Sequence, residues 1–141
     1  MRAKLRIFSD GASRGNPGPA AIAFLVVGEG REILKRYSEY LGVRTNNQAE
    51  YEALIQALEF VAKTTREEVV CHMDSELVVK QLNQIYKVRD SKLKPLWLKA
   101  NGLAQQFRKI VFVHVPRTDI YIQEVDYLAN QTLDGFPGPK R

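Results

Sequence analysis

Four acidic residues, Asp10, Glu50, Asp74 and Asp126, each stand where an apolar run meets a polar turn, and their placement limits the folds open to this chain. Asp10 closes the run Leu5-Arg6-Ile7-Phe8-Ser9, and Asp74 ends Val69-Val70-Cys71-His72-Met73. Glu50 heads a helical stripe through Leu54, Ala57, Leu58 and Val61, and Asp126 heads another through Ala129 and Leu133. A carboxylate at the head of a core-facing stripe carries a large desolvation penalty if buried alone. A fold that gathers the four around a shared cation removes that penalty. Each acid also has a local explanation. Asp10-Gly11 suits a turn, Glu50 a capping box with Asn47, Asp74 an N-cap, and Asp126 the positive end of a helix dipole.

Hydrophobic periodicity assigns the elements. Residues 4–9 read as a strand, 10–19 as turn chemistry, 20–27 as a second strand and, after Gly28-Glu29-Gly30, 31–41 as a third. Short connections make these three an antiparallel meander. The spacing predicts a helix over 47–62 with Asn47 as N-cap, a strand over 69–73, helices over 75–83 and 93–107, a strand over 110–115 and a last helix over 123–133. This order implies an α/β fold: a five-stranded mixed sheet, its first three strands antiparallel, with helices on both faces. A right-handed crossover would set the first and fourth strands side by side and bring Asp10 and Asp74 to adjacent strand ends. A chain of 141 residues, 45% of them hydrophobic, suits one core, expected over 1–134 with a flexible tail at 135–141.

Clustered carboxylates suit two-metal phosphodiester hydrolysis, in which hard divalent cations take oxygen ligands. The net charge of +5 favours a polyanionic partner. Cys71 is the only cysteine, so no internal disulfide forms, and the N-terminus has no apolar leader core. No run approaches the roughly 20 apolar residues of a membrane span. A cytoplasmic monomer with no membrane contact is therefore expected.

The segments IFSDGASRGNPGPAA (7–21), TNNQAEYEAL (45–54), MDSELVVKQLN (73–83), HVPR (114–117) and VDYLAN (125–130) together resemble type 1 ribonuclease H, over nearly the whole chain. The branch it resembles is the compact one, without a hybrid-binding domain. The resemblance implies the ribonuclease H-like fold and an endonuclease that cuts the RNA strand of RNA/DNA hybrids. Asp10, Glu50, Asp74 and Asp126 would be its catalytic, metal-binding carboxylates, holding two Mg²⁺ ions, with Mn²⁺ as a substitute. It also implies substrate contacts at Gly11, Ser13, Asn16, Asn46, Asn47 and Glu76, with Glu50 also near a 2′-hydroxyl, since amides, a hydroxyl and carboxylates suit that group, and a DNA-phosphate contact at Thr45. The segment 86–99, with Lys87, Arg89, Lys92, Lys94 and Lys99 around Tyr86 and Trp97, suits a hybrid-binding face, with Trp97 itself in the core.

The chain departs from the family pattern between Pro116 and Asp126. Residues 116–123 contain no histidine, and the loop PRTDIYIQEVD is two residues longer than usual, which leaves Asp119 and Glu124 as competitors for the role of Asp126. Arg117 either orients a phosphate or pairs with an acid. His72 and His114 are expected to pack within their strands. Two other readings remain, a resolvase- or integrase-like nuclease acting on DNA and a catalytically idle hybrid-binding module.

Overall fold

The computed structural model describes residues 4–136. Along the chain these form β1 (Lys4–Ser13), β2 (Gly18–Val27), β3 (Ile33–Arg44), α1 (Asn46–Ala62), β4 (Glu68–Met73), α2 (Glu76–Leu82), α3 (Lys94–Ala104), β5 (Lys109–His114) and α4 (Ile120–Gly135). The five strands make one sheet in the order β3-β2-β1-β4-β5. Strands β1, β2 and β3 pair antiparallel, whereas β1, β4 and β5 pair parallel. The expected mixed sheet is thus the observed one, with the first and fourth strands adjacent.

Alternation along β1 divides the core. Leu5 and Ile7 face a cluster built with Leu54, Leu58 and Val61 of α1 and Val78 of α2, while Phe8 faces Ile122, Val125, Ala129 and Leu133 of α4. Period-two strands buried on both faces in this way read as nearly continuous apolar runs, as Ala20 to Val27 does.

Several boundaries differ from the sequence expectation, each for a local hydrogen-bonding reason. Pairing of β1 with β2 continues to Ser13 opposite Ala20, so most of the expected 10–19 turn is strand. Helix α1 is capped by Thr45, not Asn47. The Thr45 hydroxyl accepts the Gln48 N–H at 3.2 Å, and the Gln48 side chain accepts the Thr45 N–H at 2.8 Å, which completes a capping box two residues earlier. Glu50 is thereby released from capping. Ser75, not Asp74, caps α2. Helix α4 begins three residues before Gln123, because the Asp119 carboxylate accepts the N–H groups of Tyr121 and Ile122 at 2.9 and 3.0 Å. The residues read as an extended loop are its first turn.

Two residues of the expected tail, Gly135 and Phe136, belong to the fold. Gly135 ends α4, and the Phe136 ring stacks on Tyr40 with centroids 3.9 Å apart. Residues 137–141 of that expected tail lie outside the described residues. His72 packs as expected, stacked on Phe8 at 4.3 Å, but His114 is exposed at the end of the edge strand β5, opposite Met73. Trp97 is half-buried against the core and donates its indole N–H to the Gln81 carbonyl at 3.1 Å. Among the described residues no helix is long and apolar enough to cross a membrane.

Candidate metal centre and substrate face

Parallel register builds the first half of the site. Phe8 of β1 lies opposite His72 of β4, so Asp10 and Asp74, each two residues further on, emerge side by side. Helix α1 supplies the third acid. It crosses β1 at Gly11, where a Cβ would lie 2.2 Å from the Ala49 carbonyl carbon, so only glycine permits the approach. That closeness lets the Gly11 N–H donate to Glu50 Oε1 at 2.7 Å.

Carboxylate oxygens of Asp10, Glu50 and Asp74 all lie within 4.8 Å of one another. Asp10 and Glu50 are each only 5% exposed, which decides their electrostatics. Burial raises the Asp10 carboxyl well above its usual range, and the charges of Glu50 and Asp74 push it further. Burial pushes Glu50 up to about 7, partly opposed by the Gly11 N–H. Asp74 is raised too, chiefly by burial, with Arg117 pulling the other way. The Arg117 guanidinium is 3.8 Å from Asp74 Oδ2 and otherwise in solvent. Three oxygen donors that repel one another when ionised fit a hard divalent cation, whose charge offsets both the repulsion and the burial.

Asp126 is not part of this tight trio. It is exposed on α4, lines the same cavity of about 370 Å³, and its charge acts on Asp10 and Asp74. Its competitors are engaged elsewhere, Asp119 in capping α4 and Glu124 in an ion pair with Arg36. Gln123, one turn before Asp126, and Ser75 also line the cavity and were missed in the sequence. The spacing of three from Asp126 was the available signal for Gln123, because residues i and i+3 share a helix face.

Of the expected substrate residues, Gly11, Ser13 and Asn46 line the cavity of the acids. Asn16, Thr45 and Asn47 line a neighbouring cavity of about 230 Å³ together with Lys92. The two are tied together, since Asn16 Oδ1 accepts the Asn46 N–H at 3.0 Å. Glu76 stands apart from both linings, its exposed carboxylate paired with Lys80 at 3.0 Å one turn along α2. The basic-aromatic segment forms a third hollow of about 680 Å³, where Tyr86, Lys87, Arg89 and Lys94 surround the Trp97 ring.

A family model described as "Reverse transcriptase-like" matches residues 8–132. The chain is 39% identical over 131 residues to a protein called Ribonuclease HI from Halobacterium salinarum, covering 93% of this chain and 65% of that protein. It is 40% identical over 133 residues to Bifunctional protein Rv2228c of Mycobacterium tuberculosis, covering 93% of this chain but 36% of the relative. The chain therefore spans between about a third and two thirds of these relatives' lengths. The structure of LC11-RNase H1 in complex with RNA/DNA hybrid superposes with a TM-score of 0.86 and 39% identity, covering 92% of this chain and 96% of that one.

Proposed function

This chain belongs to the type 1 ribonuclease H family, and from that premise we propose that it is an endonuclease that hydrolyses the RNA strand of RNA/DNA hybrids, leaving 5′-phosphate and 3′-hydroxyl ends. The observation that carries the reading is the buried trio Asp10, Glu50 and Asp74, with oxygens within 4.8 Å, at the floor of a solvent-open cavity. The residues through Asp134 form the catalytic unit, and the partner is the hybrid itself. Asp10, Glu50 and Asp74 would hold Mg²⁺, and Asp126 would help hold a second ion. When bound, the ions supply an activated water and stabilise the leaving 3′-oxygen.

The chain's own groups bind and orient the substrate. The Gly11 N–H donates to Glu50 Oε1 and so fixes that carboxylate beside Asp10 and Asp74. Arg117, anchored only loosely by Asp74, is placed to hold a non-bridging phosphate oxygen beside the acids. The side-chain amide of Asn46 offers a donor and an acceptor at the cavity, and the Ser13 hydroxyl, which donates to the Arg44 carbonyl at 2.9 Å, adds an acceptor; a 2′-hydroxyl satisfies both kinds. Thr45 accepts a helix N–H with its hydroxyl oxygen, so its own O–H stays available to donate. With Lys92 in the same hollow, that donor suits a phosphate of the DNA strand.

Cleavage of end-labelled RNA/DNA, DNA/DNA and RNA/RNA duplexes side by side in Mg²⁺ tests the proposal. Cutting confined to the RNA of the hybrid is expected. Equal rates on duplex DNA would favour the resolvase-like reading, and binding without cutting the idle module.

A further inference from the structure

On the α4 side of the sheet, away from the acids, a cavity of about 440 Å³ opens between Arg6 and Phe8 of β1, His72 near the end of β4, the turn after β2 and the first turn of α4. Its volume falls in the range that small organic ligands occupy. Two cations line it, Arg6 and Arg31, and neither makes an ion pair or side-chain hydrogen bond among the described residues. Asp119 is the one anion in the lining, and its Oδ1 is already occupied by two helix N–H groups. Cations therefore outnumber anions two to one. Arg31 holds a left-handed backbone, φ 68°, in the turn between β2 and β3, a conformation that bulky residues rarely adopt.

The rest of the lining is aromatic. Phe8 lies between His72, stacked at 4.3 Å, and Tyr121, tilted at 4.6 Å. His72 is 9% exposed and donates its Nδ1–H to the Ile7 carbonyl at 3.2 Å, which leaves Nε2 as a lone-pair acceptor. A ligand that satisfies all these groups carries an anion for the arginines, a flat face for the rings and an N–H donor for Nε2. A free phosphate lacks the ring, and a nucleoside lacks the anion.

We propose that this cavity binds a nucleoside monophosphate whose base carries an amino group, with the phosphate on Arg6 and Arg31, the base against the His72–Phe8–Tyr121 aromatics, and the amino group on His72 Nε2. The test is a calorimetric and ¹⁵N-NMR titration of the whole chain in metal-free EDTA buffer, which keeps phosphate from bridging to the acids through a cation. The probes are AMP, adenosine and inorganic phosphate. Saturable AMP binding is expected, with shifts at Tyr121 and His72 and with adenosine and phosphate each weaker by about ten-fold or more. The double variant Arg6→Gln/Arg31→Gln should weaken AMP by a similar factor, and circular dichroism will report that it is folded. Asp10→Asn should leave AMP affinity within about two-fold. Absence of saturation up to about 10 mM AMP, phosphate binding as tight as AMP, or affinity unchanged in the arginine variant would each overturn the proposal.

Discussion

Asp10 combines burial with the charges of three neighbouring carboxylates, and both disfavour its ionised form. Replacing it by Asn keeps the size and removes the charge. In saturating Mg²⁺ the variant should lose about 10³-fold or more of hybrid cleavage. Without metal it should be the more stable protein. Because the folded pKa values of Asp10 and Glu50 are raised above their unfolded values, the folded state binds more protons between about pH 4, the unfolded range, and the folded values, about 7 for Glu50. Stability is therefore lost as pH rises through that window. Thermal melts in EDTA should show the advantage of Asp10→Asn growing from about pH 5 to pH 8, and an advantage that shrinks would reverse the assigned sign. Ser9 gives a second test at this scale. Its hydroxyl is buried with no partner among the described residues, so Ser9→Ala removes an unsatisfied group and should be neutral or stabilising by up to about 1 kcal/mol. A clear loss of melting temperature would mean that the hydroxyl has a partner.

Elements position these residues through close approach and capping. The crossing of α1 over Gly11 is the tightest, and Gly11→Ala must push the helix backbone away or distort β1. We expect about 2–3 kcal/mol of destabilisation and a weaker Mg²⁺ isotherm, since Glu50 moves with α1. Normal metal affinity in a folded Gly11→Ala protein would show that α1 tolerates the shift. Helix α4 carries Asp126 on its exposed side, outside the tight trio. Its role should be auxiliary, so Asp126→Asn should lose most Mg²⁺-dependent activity and regain part in Mn²⁺, which accepts altered coordination more readily. Asp119→Asn retains a capping oxygen, and Glu124→Gln loses only a partly exposed ion pair, so both should cut nearly as well as the parent. A dead Glu124→Gln beside an active Asp126→Asn would move the fourth ligand two residues back.

Across the whole molecule, the acid cavity, the Thr45–Lys92 hollow and the basic-aromatic hollow together offer carboxylates, amide and hydroxyl groups, and cations. A duplex that engages all three must present a 2′-hydroxyl to one region and phosphates to the others. A patch of 2′-deoxy residues in the RNA strand should therefore block cutting locally, without abolishing binding. Raising salt should weaken binding through the lysines and Arg89 while the local block persists. Cutting within the deoxy patch at an undiminished rate would remove the sugar from the recognition.

The order of strands and helices, the mixed sheet and the three inner acids were legible in the sequence because each rests on short-range pattern: two-residue alternation, 3.6-residue stripes, and an acid at the head of each. Parallel register then had to bring Asp10 beside Asp74, since each follows its paired strand residue by the same interval. What only the tertiary structure decided depends on contacts between distant segments. Glu50 was free to meet Gly11 only because Thr45 and Gln48 completed the cap first. Asp119 became a cap and Glu124 an ion-pair partner because α4 started early and lay beside β3, where Arg36 waits, and no periodicity within 116–126 encodes that. The cavity of Arg6, His72 and Arg31 likewise joins residues from two strands and a turn. A sequence specifies which groups are polar and where its elements run, but which polar groups meet is set by packing, in which the position of one helix fixes the partners of many side chains at once.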